Sequence, residues 1–140
     1  MQNEMCNNRN YVFSAADAVA LFCTVLPREQ RDERFFVLPL GANGEVLTNP
    51  ILVSIGTQKI AEVQLGEIFS EAYKANAKAI IVAHNHPSGD PMPSKADIAF
   101  TAVLKDMCDR LGNIQFLDHL IIGSPESANG LGFVSIAEME

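Results

Sequence analysis

The 140-residue chain has no long hydrophobic run, and this absence excludes a membrane-spanning helix. Its uninterrupted apolar runs are only a few residues long, whereas a helix that crosses a bilayer needs ~20. The start of the chain also lacks a basic segment followed by an apolar one, so we expect no secretory signal peptide. We interpret residues 1–12 as a polar tail and residues 13–140 as a single domain.

Cysteine is scarce as well. The chain has 3 cysteines, Cys6, Cys23 and Cys108, which are widely spaced and odd in number. This usage favours a reducing cytoplasm over a disulfide framework, and no pair has the CxxC spacing of a thiolate zinc site. We therefore expect Cys23 and Cys108 to be buried apolar residues on helices.

Positive charge is low and is not clustered. The chain has 10 basic and 17 acidic residues, which gives a net charge of −7. Proteins that bind nucleic acids draw much of their affinity from Lys and Arg contacts with phosphates. We therefore expect no nucleic-acid partner for this domain alone.

The apolar pattern predicts one α/β (α+β) domain, a mixed β-sheet flanked by helices. Helices are predicted from Ser14, as N-cap, to Pro27, over 61–77, and over 95–111 with Gly112 as C-terminal cap. Strands are predicted over 34–40, 45–53, 79–83, 114–122 and 132–136. Asn43-Gly44 indicates a hairpin turn, and Pro39 and Pro50 indicate an edge strand or irregular strand ends.

The most informative segment holds two histidines and an aspartate. His84 and His86 directly follow a buried apolar strand, so both imidazoles should point to the same face, and Asp97 follows a loop rich in Pro and Gly. Two neutral nitrogens and a carboxylate, with room for a water, form the ligand set of a catalytic zinc site. A pair of hydrogen-bonded histidines is the alternative, and the same three ligands also suit non-haem iron.

Ser94 and Asp97 have a structural interpretation besides the catalytic one. Ser-Lys-Ala-Asp after a Pro-rich loop is typical of a helix start, with Ser94 as N-cap and Asp97 in the first turn. Ser94 is also the candidate hydrogen-bond donor to a substrate oxyanion. The two roles are compatible, because the helix start fixes the direction of Asp97.

The order His84-x-His86, seven residues, Ser94, two residues, Asp97 resembles the JAMM metalloprotease pattern, also called JAB or MPN. The fuller motif, His-Asn-His-Pro-Ser-Gly-Asp-Pro and then Pro-Ser-Lys-Ala-Asp, resembles the bacterial RadC branch. The resemblance implies a JAMM/MPN-like (cytidine-deaminase-like) fold and one zinc ion held by the two histidines, Asp97 and a water. It also implies an upstream glutamate as general acid/base, for which Glu33 is the best match and Glu67 the competitor.

Three further residues near the motif have predicted roles. His119 is expected in the core or hydrogen-bonded behind the metal ligands, because ligating histidines need an orienting partner. Asn85, which alternates away from the ligands, is expected to be structural. Ser88 is assigned to the turn with Gly89, although it could face the cavity.

The leading interpretation is a cytoplasmic zinc metallopeptidase or isopeptidase that acts on a peptide or protein. The alternatives are a non-catalytic protein-interaction module, a non-haem iron oxygenase and a DNA-repair accessory of the RadC type. RadC proteins commonly carry a helix-hairpin-helix segment before this domain, and we expect this chain to lack it. The sequence identifies neither the substrate nor the oligomeric state.

Overall fold

The computed structural model describes residues 11–27, 30–56, 63 and 65–139 of the chain. Its helices are α1 (Ala15–Val25), α2 (Leu65–Lys74), α3 (Lys95–Leu111) and two short ones, α4 (Ser127–Gly130) and α5 (Ile136–Met139). Its strands are β1 (Glu33–Leu40), β2 (Ile51–Gly56), β3 (Ala79–Asn85), β4 (Gln115–Ile122) and β5 (Phe133–Ser135). Among these helices, none has the length and hydropathy required to cross a bilayer.

The strands form one five-stranded mixed sheet in the order β2-β1-β3-β4-β5. The β3/β4 pair is parallel, and α3 makes the crossover that such a pair requires. The other neighbours are antiparallel. The predicted fold class, a mixed sheet flanked by helices, is confirmed.

Side-chain alternation along the central strands divides the core into two layers. Phe36 and Leu38 of β1 pack with α1 on one face of the sheet. Phe35 and Val37 pack with α2 and α3 on the other face. Every residue of β3 is buried, because helices cover both of its faces.

The predicted helix ends are confirmed at three positions. Ser14 caps α1 by accepting the Asp17 N–H at 3.2 Å. Ser94 caps α3, and α3 has the predicted bounds. Gly112 closes α3 in the left-handed conformation, with φ of 76°.

The connection between β1 and β2 differs from the prediction. The Asn-Gly turn forms, but only isolated bridges, including Leu40↔Val46, follow it, and β2 begins after Pro50, which has no N–H to donate. Of the two alternatives for Pro39, the edge strand is wrong, because β1 pairs with both β2 and β3, whereas the irregular strand end is present, because the β1/β2 pairing stops at Val37. Pro39 is tolerated there because its carbonyl accepts the Leu47 N–H, so its ring nitrogen faces that short connection and not β3.

Two predictions about burial are also corrected. Cys23 is exposed on α1, whereas Cys108 is buried as predicted, and both are free thiols. Of the predicted apolar stripe of α3, Phe100 and Leu104 lie in the core. Val103, Met107 and Leu111 are exposed instead. The buried face of α3 differs from the predicted one because it includes the polar residues Asp97 and Thr101, which face the end of β3.

Two predicted segments reach outside the described residues. The helix predicted over 61–77 is observed as α2, and residues 61, 62 and 64 are not described. Residues 1–10 of the predicted tail are likewise not described, whereas Tyr11 bridges to Glu45 and the Val12 N–H donates to the Gly44 carbonyl at 2.9 Å.

Candidate metal centre

Strand β3 delivers both histidines to one side of the sheet. His84 continues the alternation of Ile80 and Val82, whose side chains face α3. His86 follows the strand end, where its N–H donates to the Ile122 carbonyl at 2.9 Å. Their Nε2 atoms are 3.1 Å apart, and His84 is only 3% exposed.

The first turn of α3 places Asp97 against these histidines. Ser94 and Asp97 form a capping box: Ser94 Oγ accepts the Asp97 N–H at 3.0 Å, and Asp97 Oδ2 accepts the Ser94 N–H at 2.9 Å. Asp97 Oδ1 lies 3.4 Å from His84 Nε2, and Oδ2 lies 3.3 Å from His86 Nε2. The structural role expected for Ser94 and Asp97 is therefore present, and it leaves the carboxylate pointing at both imidazoles.

Glu33 reaches the same point from β1. The antiparallel register pairs Phe35 with His84, and extending it by two residues places Glu33 opposite His86. Glu33 Oε1 lies 3.9 Å from His84 Nε2 and 4.0 Å from His86 Nε2. Glu67, the competing glutamate, is exposed in the first turn of α2 and is absent from the described lining of the cavity.

The described side chains that meet here could hold a metal ion, because Glu33, His84 and His86 each offer a ligand atom within 4.8 Å of the others. Ligands about 2.0–2.1 Å from zinc form a tetrahedron whose edges are about 3.3 Å long. The two Nε2 atoms are 3.1 Å apart, close to that edge, and Asp97 approaches each of them with a different oxygen, at 3.3 and 3.4 Å. The Glu33 carboxylate is farther away, at 3.9 and 4.0 Å from the two Nε2 atoms, so there is space between it and the other three side chains.

The groups around His86 favour a positive charge between the two imidazoles and Asp97. The Asp97 carboxylate, as the largest cause, raises the pKa of His86 above its ordinary value, against the effect of burial. Burial acts to raise the pKa of Asp97, but the His84 and His86 imidazoles outweigh it and hold that pKa far below its usual range. A proton on His86 and a metal cation therefore compete for the same site.

The loop after β3 fixes the ring of His86. Its Nδ1 lies 2.8 Å from the Asp90 carbonyl, which can only accept, so Nδ1 carries the proton and Nε2 offers its lone pair to the site. The loop turns back at Gly89, whose φ of 93° is one that other residues rarely adopt. The Gly89 carbonyl accepts the Ser124 N–H at 2.8 Å, which ties the loop to the end of β4.

Asn85 lies on the opposite face of β3 and holds the segment that carries Glu33. Its Oδ1 accepts the Arg34 N–H at 2.8 Å, and its Nδ2 donates to the Asp32 carbonyl and to Gln30 Oε1, both at 3.1 Å. These contacts join the backbone on each side of Glu33 to the strand that carries the histidines. The structural role predicted for Asn85 is confirmed, but its connection to Glu33 was not foreseen.

Three of the four converging side chains, Glu33, His86 and Asp97, line a cavity of about 560 Å³. Ser94 and Ser88 both lie at its wall. The remaining described lining residues are Arg31, Asp32, Gly56, Pro87 and Ala96. A substrate group that enters this space meets the two carboxylates, His86 and the Ser94 hydroxyl together.

Comparison with known proteins places this chain in a family. Residues 12–139 match the family described as the RadC-like JAB domain, which is nearly the whole chain. The chain belongs to the RadC-like JAB domain family. The resemblance noted from the histidine motif is thereby confirmed.

This RadC-like JAB domain is similar to several bacterial proteins named UPF0758. It is 38% identical to one from Bacillus pumilus over 99% of this chain and 58% of that protein. It is 47% identical to one from Carboxydothermus hydrogenoformans over 67% of this chain and 41% of that protein. A UPF0758 protein of Clostridium botulinum is 55% identical over 51% of this chain and 31% of its own length. The chain thus spans about half the length, or less, of these relatives.

In this RadC-like JAB domain, buried residues on β4 and α3 form hydrogen bonds that lead to the ring of His84. His119 is fully buried on β4, with Nε2 2.9 Å from His84 Nδ1, which agrees with the predicted core or supporting role. Burial lowers the pKa of His119 to about 3, and the nearby His84 imidazole acts in the same direction. The second partner of the His119 ring is Thr101 of α3, whereas the adjacent Asp118 carboxylate accepts the Ser135 hydroxyl and the backbone N–H groups of His119 and Ala137.

Proposed function

We propose that this chain is a zinc-dependent hydrolase of peptide or isopeptide bonds, acting on a peptide or protein substrate. His84, His86 and Asp97 would hold one zinc ion, Glu33 would move the proton, and Ser94 would bind the substrate oxygen. The observation that carries the proposal is the convergence of His84, His86 and Asp97 within 3.1–3.4 Å of one another, beside a cavity that Glu33 and Ser94 also line. Membership of the RadC-like JAB family supports it.

Zinc would supply a Lewis acid that lowers the pKa of a bound water toward ~7. The protein must then accept the proton of the attacking water and return one to the leaving amine. Glu33 suits this task because its carboxylate lies 3.9 Å from His84 Nε2, outside the set of close contacts, and is half-buried at the cavity. Asn85 bonds the backbone on each side of Glu33, which fixes the point from which the Glu33 side chain extends to the cavity.

Ser94 suits the binding of a developing oxyanion. Its Oγ already accepts the Asp97 N–H, so the hydroxyl hydrogen is available to a substrate carbonyl oxygen in the cavity. Its backbone is fixed at the start of a 17-residue helix, which limits the reorganisation needed when charge develops.

A Glu33→Gln variant tests the proposal. The probes are a quenched-fluorescent random peptide pool and fluorescein-labelled casein, with zinc-loaded protein. Gln keeps the shape of the side chain but cannot take a proton, so we expect cleavage to fall by ~10²–10⁴-fold while bound zinc is retained. Glu67→Gln is the matched control and should cleave normally, because Glu67 is exposed outside the cavity.

The result also separates the competing functions. Equal cleavage by Glu33→Gln and wild type would remove Glu33 from the mechanism. Zinc uptake with no cleavage of any probe by the wild type would favour a protein-interaction module. Elemental analysis of protein purified without added metal should give zinc, and stoichiometric iron instead would favour an oxygenase.

A further inference from the structure

Three successive buried hydrogen bonds connect the Asp97 backbone carbonyl to the His84 ring, on the side of His84 that faces away from the site. The Thr101 hydroxyl donates to the Asp97 carbonyl oxygen at 2.7 Å. Thr101 Oγ1 is also 2.7 Å from His119 Nδ1, and His119 Nε2 is 2.9 Å from His84 Nδ1. His119 is fully buried and Thr101 is 5% exposed, so water cannot substitute in this chain.

The positions of the hydrogens follow from counting them. Each of the three contacts is short enough to require one hydrogen between its two atoms. The Asp97 backbone carbonyl carries no hydrogen, so the Thr101 hydroxyl must donate to it. The contact between Thr101 Oγ1 and His119 Nδ1 must then use a hydrogen on His119 Nδ1. His119 Nε2 is then an acceptor, and His84 must carry its hydrogen on Nδ1.

Apart from the His84 Nε2 atom, which lies 3.1 Å from His86 Nε2 and 3.4 Å from Asp97 Oδ1, the rest of the space around the two imidazoles is apolar. The ring of Phe35 lies 5.9 Å from that of His84 and 5.6 Å from that of His119, measured between centroids. The ring of Phe100 lies 6.4 Å from that of His119. These apolar rings neither donate nor accept conventional hydrogen bonds, so on the side behind the site the proton positions depend on the polar chain.

We propose that Thr101 and His119 are positioning residues that keep the proton of His84 on Nδ1, so that Nε2 presents its lone pair to a metal ion. The inference rests on the proposed metal site. The reverse arrangement would place a hydrogen on His84 Nε2, facing His86 and Asp97, and would leave the oxygens of Thr101 and Asp97 in contact without a hydrogen. One hydroxyl outside the ligand set therefore controls whether His84 can bind metal.

Zinc affinity of three variants tests the proposal, with zinc itself as the probe in competition with a chromophoric chelator. Thr101→Val has nearly the same shape but lacks the hydroxyl, and it should bind zinc roughly 10–100-fold more weakly, the range found for partners of metal-bound histidines. Thr101→Ser should restore most of the affinity. Thr24→Val is the matched control, because Thr24 makes an equivalent hydroxyl-to-carbonyl bond, to Leu21 at 2.6 Å, at an exposed position on α1.

A nuclear magnetic resonance experiment reads the proton positions directly. In metal-free wild-type protein with ¹⁵N-labelled histidine, two-bond couplings should show His84 and His119 both protonated at Nδ1. A hydrogen on His84 Nε2 would overturn the proposal, as would unchanged zinc affinity in Thr101→Val. Should Thr101→Val not fold, Thr101→Ser and the wild-type spectra decide the matter. Failure of the wild type to bind zinc would instead refute the metal site, and the spectra would still test the hydrogen arrangement.

Discussion

Replacing Asn85 by Ala tests whether this residue holds the Glu33 segment. The change removes three hydrogen bonds, to the Arg34 N–H, the Asp32 carbonyl and Gln30, from a side chain that is 0% exposed. At about 1 kcal/mol net for each bond, we expect the free energy of unfolding to fall by about 3 kcal/mol. The loss should be measured by urea denaturation of the metal-free protein, with the denaturant slope unchanged.

Asn113→Ala is the matched control for that measurement. Asn113 is exposed and accepts only the Tyr73 hydroxyl at 3.2 Å, so its loss should change the unfolding free energy by less than about 0.5 kcal/mol. If Asn85→Ala also costs less than 1 kcal/mol, the Asn85 contacts do not fix this segment and the reasoning is wrong.

A functional readout completes the test of Asn85. Because its side chain faces away from the ligands, Asn85→Ala should keep its zinc affinity but cleave the peptide pool more slowly. In a Glu33→Gln background the same change should have little further effect, since the two residues act through one carboxylate. Additive losses in the double variant would show that Asn85 does not act through Glu33.

Further predictions concern the capping residue, the loop and the buried histidine. Ser94→Ala should lose about 1 kcal/mol of stability, seen in urea, and also slow peptide cleavage, whereas stability loss alone would leave Ser94 only a cap. Gly123→Ala should weaken zinc binding in the chelator assay, because its Cβ would collide with the Gly89 carbonyl and lie 2.8 Å from Pro91 Cδ, in the loop that orients His86. Since the pKa of His119 falls from 6.5 to about 3 on folding, the unfolded chain binds the proton first, and His119 should cost the metal-free protein about 2 kcal/mol of stability between pH 7.5 and pH 5. His119→Gln should make the unfolding free energy depend less on pH over this range, and His86→Gln, which removes a raised pKa, should make it depend more on pH. Variants with the same pH dependence as wild type would contradict these pKa directions.

The sequence predicted the part of the site that depends on local periodicity. His84 and His86 share a face because alternate strand residues do, and Ser94 and Asp97 form a helix start that any capping box would give. Glu33 could be selected only through the family resemblance. Its position opposite His86 depends on the antiparallel register of β1 and β3, which joins residues far apart in sequence.

What the sequence did not predict depends on tertiary packing. Thr101 and Asn85 acquire their roles from partners on other elements, so their own neighbours in sequence give no signal. Cys23 and Val103 looked apolar enough for the core, but the orientation of their helices left them exposed. On α3 that orientation is fixed by polar groups, Asp97 and Thr101, which a hydrophobic pattern does not identify.

Diffraction at the zinc absorption edge, from crystals of protein purified without added metal, tests the central claim most directly. We expect one anomalous peak about 2.0–2.2 Å from His84 Nε2, His86 Nε2 and an Asp97 oxygen, with the Glu33 carboxylate farther away. The absence of a peak at these side chains in zinc-soaked crystals, or an ion bound by Glu33 with Asp97 turned away, would contradict the account.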